Sequence, residues 1–385
     1  MKYSILIIVC IILVSCHAQE TNISYDVQLD SINDSYFNIR TWGFYEDNTG
    51  IYFYAKDYSP DTIKVFKESN NGFDFYKNIL LPKNYIDTMG KEIHSDKYKI
   101  TFVNLDNIIV CTRQSIALIN IKNNNLSKFY WHSLEDDNYA LVDRFGILKW
   151  NAYRKKLPLM LVRFDNRNER KWGWDSELLA EFSFETGTFN IIPIKYPYVE
   201  QYTAKEINYN YVDPLITFKK DTYVVGFGNT PVMFSYDTKK NKLDSFYIKN
   251  STYKSITILH DTLAKNDFTR YQEYATNSMI YDYFYNLLIY DEYKDVFYRF
   301  FFKDMPQYDE EGLLNTLNDK EIGFTILDKN LKVIGDVFWK LKKGYSPFWY
   351  PTSKGIYGFT SKSCDIVCTK EKSLKVIKIV YNYEK

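Results

Sequence analysis

Residues 116–131 decide the fold: Ile116-Ala117-Leu118-Ile119-Asn120-Ile121, then Asn123-Asn124-Asn125, then Leu126-Ser127-Lys128-Phe129-Tyr130-Trp131. Two apolar-rich segments with period-two alternation flank a polar turn, the pattern of a β-hairpin. Asparagine tolerates the positive φ that a tight hairpin turn demands. The same unit occurs upstream as Ile63-Lys64-Val65-Phe66, Asn70-Asn71-Gly72 and Phe73-Asp74-Phe75. Downstream it returns as Ala180 to Phe184 with Phe189 to Ile194, Val232 to Tyr236 with Leu243 to Ile248, and Phe324 to Leu327 with Leu331 to Val337. A sixth copy reads Ile366-Val367-Cys368, Lys370 to Ser373, then Leu374 to Val380.

Another pair of candidate strands precedes each hairpin, with Ile51 to Ala55, Ile108 to Thr112, Leu157 to Phe164, Tyr223 to Phe227, Val296 to Phe302 and Ile356 to Thr360 as examples. Four strands per unit and six units at a mean period of roughly 61 residues describe an all-β chain folded as a six-bladed β-propeller with loop insertions. A lone four-stranded sheet exposes two apolar faces, whereas radial packing buries both and leaves only short edges. The hairpin Tyr290-Asp291-Glu292-Tyr293-Lys294-Asp295 reads as the inner pair of blade five. Counting it as a blade of its own would make a seven-bladed ring, and two β-sandwiches would show similar short strands.

The chain has 385 residues, 45% hydrophobic, 18% aromatic and 25% charged, with 36 Tyr, 27 Phe and 7 Trp. Such composition excludes wholesale disorder, and the aromatic rings suit a pleated, half-buried surface. Lys and Arg total 49 against 48 acids, so no cationic excess exists to pair with a phosphate backbone, and nucleic acid is not an expected partner.

Lys2 and the apolar run Ile5 to Val14 form the n- and h-regions of an export signal, too short to span a bilayer. The run ends Leu13-Val14-Ser15-Cys16, which resembles the lipobox of bacterial lipoproteins. The resemblance implies a signal peptide over 1–15, acylation of Cys16 and attachment to a lipid bilayer. The alternative is an ordinary secretory signal cut after Ala18. His17, rather than an aspartate, follows the cysteine, which favours the outer membrane, and with only Glu20 in place of an acidic cluster a periplasm-facing lipoprotein is expected over a cell-surface or secreted one. The expected organisation is a lipidated tether over 16–35 and a propeller over 36–385. Cys364 and Cys368 on one continuous strand would lie about 13 Å apart, too far to bridge. A bridge from Cys111 to either stays open, beside the simpler reading of buried free thiols.

The lipobox, the size and the strand pairs together resemble an uncharacterised family of Bacteroidetes lipoproteins with a six-bladed β-propeller-like domain. The residues that carry the likeness are Tyr290 to Phe300, Phe324 to Asp328, Leu331 to Asp336 and Lys354-Gly355-Ile356-Tyr357. The resemblance implies fold and location and transfers no active site.

His17, His94, His132 and His260 lack metal-ligand spacing, no Gly-x-Ser-x-Gly elbow occurs, and Gly226-Phe227-Gly228 is only a fragment of a phosphate loop. No cofactor, metal site or catalytic residue is therefore assigned. Glycosidases need only two carboxylates, and Asp143 with Asp165, or Asp291 with Asp295, are candidates that equally suit turns and hairpin caps. The binding candidates are Arg163, Asp165, Trp172 and Trp174 in a charged insertion, and Asp291, Tyr298 and Arg299 around blade five. An exposed Trp beside an Arg makes a stacking platform with a forked donor, and an Arg facing the channel would hold an anion. Against this, the tryptophans would also serve as core between blades, and Arg299 would also serve to bond carbonyls or a carboxylate there. The insertions 165–177, 253–278 and 303–320 are placed near an end of the ring. The expected function is a membrane-anchored, non-catalytic binding or scaffold module for an envelope protein, peptide or glycan. The alternative is a carbohydrate-active hydrolase with a carboxylate pair at the channel mouth.

Overall fold

Six antiparallel sheets follow one another along the chain, each built from four principal strands. The computed structural model describes residues 25–32, 38–56, 59, 61–89, 98–112, 115–131, 139–141, 148–166, 171–172, 177–197, 214–228, 230–248, 269, 273, 276–277, 280–316, 319–339, 349–360 and 374–381. At 25–31, 38–41, 139–141, 162–166, 171–172, 339, 359–360 and 374–375 it describes the backbone alone.

Blade one comprises Asn38–Asp47, Gly50–Lys56, Thr62–Ser69 and Gly72–Leu80, and the short helix Lys83–Met89 leads out of it. Blade two is Lys99–Asn104, Asn107–Cys111, Ser115–Asn120 and Asn125–Trp131. Blade three is Tyr139–Leu141, Leu157–Asn166, Glu177–Ser183 and Thr188–Lys195, with Lys171–Trp172 paired beside its second strand. Blade four is Pro214–Lys219, Thr222–Phe227, Thr230–Asp237 and Lys242–Tyr247. Blade five is Phe284–Asp291, Val296–Phe302, Ile322–Leu327 and Val333–Trp339. The hairpin at 290–295 joins its first two strands, so the ring has six blades and not seven.

Blade six departs from the sequence expectation. Its first three strands are Tyr350–Thr352, Gly355–Thr360 and Leu374–Tyr381, but its outer strand is Tyr25–Ile32 from the start of the chain. That strand runs antiparallel to Leu374–Tyr381 through an unbroken register from Tyr25↔Tyr381 to Ile32↔Leu374. Ile32 also bridges Phe73 in blade one, so the first and last blades merge into one eight-stranded sheet. The ring thus takes in residues that the expected tether 16–35 included. The segment Ile366 to Ser373, read as part of the sixth hairpin, lies outside the described residues.

The core explains the closure. The buried apolar residues form six clusters, and each cluster joins two neighbouring blades, one for every junction of a six-membered ring. Between blades six and one, Ile32, Tyr357 and Val376 pack against Trp42, Phe44, Phe53, Phe66 and Phe73. Between five and six, Phe300 stacks on Trp349 with 5.7 Å between ring centroids and 6° between planes. Trp349 lies so close to the backbone that a Cβ at Gly358 would come within 2.6 Å of it. Inner strands between two blades are buried on both faces, as every residue of Val296–Phe302 is. Outer strands such as Asn125–Trp131 expose most of their length. The hairpin turns use the residues the sequence offers for positive φ, including Asn124, Gly187, Asn241 and Asp295.

Candidate functional site

The inner strands of the blades, joined in blade three by residues 148–152 of a loop, surround a central channel with a cavity of about 370 Å³. Every blade contributes to its wall: Tyr45 and Glu46 from the first, Lys99 and Phe102 from the second, Lys149, Trp150 and Met160 from the third, Thr217 and Phe218 from the fourth, Asn286, Glu292 and Tyr293 from the fifth, and Tyr350 from the sixth. The wall is mostly aromatic and aliphatic, and Tyr45 stacks on Phe102 at 5.3 Å. Ligand pockets commonly occupy ~300–1,000 Å³ and combine such walls with a few placed polar groups.

Those polar groups collect at the end of the channel where the first strand of each blade turns into the second. Glu46 is the last residue but one of the first strand of blade one, Glu292 and Tyr293 sit in the turn of blade five, and Ser353 sits in the turn of blade six. Glu46 accepts hydrogen bonds from the Ser353 amide at 2.9 Å and from the Ser353 hydroxyl, and its charge lies close to the Tyr293 phenol. Burial and this carboxylate together raise the Tyr293 pKa, which keeps the phenol protonated as a donor. Lys149 approaches from the loop between the first two strands of blade three, with its Nζ 5.8 Å from the centre of the Phe218 ring. Lys149 is half-buried in the channel wall, and desolvation there lowers its pKa, with Glu292 and Asp291 offsetting part of the effect.

Of the seven binding candidates named from sequence, none whose side chain is described lines this channel. Arg299 is fully buried between blades, where it donates to the carbonyls of Phe227 at 3.1 Å and Thr230 at 2.6 Å, with its guanidinium 3.4 Å from the centre of the Tyr285 ring. It bonds carbonyls between blades four and five instead of facing an anion in the channel. Asp291 caps its own turn, accepting from the amides of Tyr293 and Lys294, and takes the Tyr298 hydroxyl at 2.7 Å. Tyr298 is buried between blades five and six, hydrogen-bonded also to Tyr381. Asp295, the other half of that carboxylate pair, accepts from Tyr290 and Lys219. Arg163 and Trp172 lie on backbone that pairs within blade three and Asp165 at the register break between Phe164 and Asn166, but their side chains fall outside the described residues, as do Trp174, Asp143 and Cys16 altogether. Cys111 is a buried free thiol pushed up to about 12, mainly by desolvation, and it will be a poor nucleophile. Cys364 and Cys368 lie outside the described residues. Among the described residues, no group of three His, Cys, Asp or Glu side chains is arranged to hold a metal ion.

The residues that do face the channel escaped sequence reading for a definable reason. The hairpins that reveal the repeat are the outer strands, whereas the channel wall comes from the two inner strands of the blades and from a loop of blade three. Lys149 and Trp150 lie outside any strand, where no alternation marks them.

The insertion 303–320 carries a second displaced lysine. Lys320 is 1% exposed, donates to the Asp282 carbonyl and sits 4.6 Å from the centre of the Phe284 ring. Burial lowers its pKa to about 7, with Asp282 and Asp304 opposing the shift. Between pH about 7 and the unfolded value near ~10.4 the unfolded chain binds the extra proton, so stability rises with pH across that window. Lys320→Met removes this slope. Its stability relative to the wild type, followed by thermal melts, is expected to fall as pH rises from 7 to 10; parallel curves would refute the assignment.

Comparison with known proteins agrees with the ring. The model of the DUF4221 family, a domain of unknown function, matches residues 92–336. The crystal structure of a DUF4221 member from Bacteroides vulgatus superposes with a TM-score of 0.66 at 16% identity, covering 95% of this chain and 99% of its own. A luciferin-regenerating enzyme matches with a TM-score of 0.43 at 9% identity over 92% of this chain and 95% of its own. The β-propeller domain of Myceliophteria thermophila Cps50 (Swd1) gives 0.41 at 8% identity over 92% and 99%. No curated protein matches the sequence. The family match spans well over half of the residues and coincides with blades two to five, and the chain belongs to the DUF4221 family.

Proposed function

We propose that this DUF4221 protein is a membrane-tethered binding module that receives a small ligand in its central channel. Acyl chains on Cys16 hold it at the outer membrane, facing the periplasm, where an envelope protein, a peptide or a glycan is its partner. The lipobox at 13–16 supports the anchor. Only residues 17–24 separate Cys16 from the strand Tyr25–Ile32. Eight residues reach at most about 29 Å when fully extended, so an acylated Cys16 would keep the ring close to the bilayer. Among the described residues no helix is long and apolar enough to cross a membrane, which leaves the acyl chains as the attachment this reading needs.

One observation carries the preference for binding over hydrolysis. Among the described residues the channel has two wall carboxylates, Glu46 and Glu292, but Glu46 already takes hydrogen bonds on both oxygens from Ser353. A glycosidase needs both acids of its pair free to exchange a proton or attack the sugar.

Two measurements test the reading. Radiolabelled palmitate is expected to enter the wild type and not Cys16→Ala; an unlabelled wild type would remove the anchor. A panel of mono- and disaccharides, dipeptides and small carboxylates is expected to include one class that raises the melting temperature, and Met160→Trp, which fills the channel, should abolish that response. An equal response from the filled channel would place the ligand elsewhere, and turnover of a glycoside would establish the hydrolase.

A further inference from the structure

The Lys149 ammonium stands out among the polar groups of the channel because the protein leaves it without an acceptor. Glu46 is tied to Ser353, Asp291 caps a turn, and the wall tyrosines Tyr54 and Tyr350 donate to the carbonyls of Ile100 and Trp42. Among the described residues Lys149 makes no hydrogen bond and no ion pair; its neighbours are the Phe218 ring and the more distant charges of Glu292 and Asp291. A half-buried lysine with no protein acceptor leaves its charge to be met by solvent or by a ligand, and a ligand that supplies an anionic acceptor inside the channel gains a charge-assisted hydrogen bond.

Resting on the reading of the channel as a ligand site, we propose that its ligand is a small carboxylate with an apolar or aromatic body, its anionic end on Lys149. The body would lie against Phe102, Trp150 and Phe218, which are wall residues from three consecutive blades. Charge decides between a monoanion and a dianion. The charged side chains on the wall are Lys149 and Lys99 against Glu46 and Glu292, with Lys99 on the first strand of blade two at its far end from the turn. A single negative charge completes Lys149, whereas a phosphate dianion would face two glutamates at the same end of the channel. The apolar wall rewards a ring or a short alkyl chain, which a free sugar lacks.

Isothermal titration of the full-length protein in detergent tests this with benzoate, phenylacetate and hexanoate against their amides, with phenyl phosphate as the dianion and N-acetylglucosamine as the neutral sugar. The expected result is that the carboxylates bind at least ten-fold tighter than their amides and no more weakly than phenyl phosphate. Lys149→Met should remove the preference for carboxylate over amide while leaving the melting temperature of the free protein unchanged or higher. Lys149→Gln is the second variant if the methionine variant fails to fold, and the comparison of carboxylate with amide on the wild type needs no variant at all. Equal binding of acid and amide, or a preference that survives Lys149→Met, overturns the assignment of the anion to Lys149. If the sugar or dipeptides bind and the carboxylates do not, this inference fails and the channel reading stands; if no probe binds at millimolar concentration, both fail.

Discussion

Arg154→Met is expected to destabilise the folded ring by about 3–5 kcal/mol, measured by urea unfolding at neutral pH, because it strands a buried carboxylate. Arg154 lies in the loop of blade three and forks onto Glu181, with Nε to Oε1 at 2.7 Å and Nη2 to Oε2 at 2.9 Å. Its Nη1 crosses to blade four, donating to Asp221 at 3.2 Å and to the Thr238 hydroxyl at 2.5 Å. Glu181 is 2% exposed and also takes the Tyr223 hydroxyl at 2.6 Å, so the cluster joins two blades through a carboxylate that water barely reaches. The direction of the pH dependence follows. Burial acts to raise the Glu181 pKa, but the bonds from Arg154 and Tyr223 outweigh it and hold the group below the usual carboxylate range. In the wild type that contribution is complete above the unfolded value near ~4.3 and is lost as pH falls through the depressed folded value. In Arg154→Met burial prevails, the Glu181 pKa rises, and the deficit is largest at neutral pH and shrinks on acidification. Removing the stranded acid as well, in Arg154→Met with Glu181→Leu, should restore most of the stability, since a matched apolar pair often equals a buried ion pair. A cost below about 1 kcal/mol for the single change would mean that the cluster contributes no more than an exposed ion pair.

What the sequence made legible, and what it did not, follows from where each kind of information resides. The hairpins at 63–75, 116–131, 180–194, 232–248 and 324–337 were readable because alternation and turn chemistry are local, and all five are found as paired strands. Period-two patterns also survive in Tyr25-Asp26-Val27-Gln28-Leu29-Asp30, but nothing local says that this strand pairs with one some 350 positions later. Its alternate polar residues made it resemble a tether. Arg299 shows the same limit from the other side. An arginine between aromatics announces that its charge must be met, and only the approach of blade four shows that the carbonyls of Phe227 and Thr230 meet it. The channel residues depend on ring geometry in the same way, for Glu46, Lys149 and Tyr293 belong to three different blades and converge only once the ring is closed.

The borrowed outer strand makes the strongest prediction. A chain beginning at Ser35 lacks Tyr25–Ile32, whereas a chain beginning at Asn22 retains it; both lack Cys16, so any difference between them owes nothing to the anchor. Without the strand, Leu374–Tyr381 becomes an open edge carrying Val376, Ile377 and Ile379, all fully buried in the intact ring. The eight-residue register with Tyr25–Ile32 is lost, and the cluster between blades six and one loses Ile32. Burial of one such side chain contributes roughly 1.5–3 kcal/mol, and each net hydrogen bond of the ladder roughly 0.5–1.5 kcal/mol. Their sum reaches the ~5–15 kcal/mol by which a folded domain exceeds its unfolded state. The chain from Ser35 is therefore expected to be insoluble or to associate through its open edge, while the chain from Asn22 melts as a monomer in one cooperative transition. A synthetic peptide spanning residues 24–34 should rescue the shorter chain by adding itself as the missing strand, which a general folding defect would not allow. Light scattering and thermal melts of the two chains decide the matter: a soluble, monomeric chain from Ser35 melting within a few degrees of the longer one would show that the ring closes without its N-terminal strand.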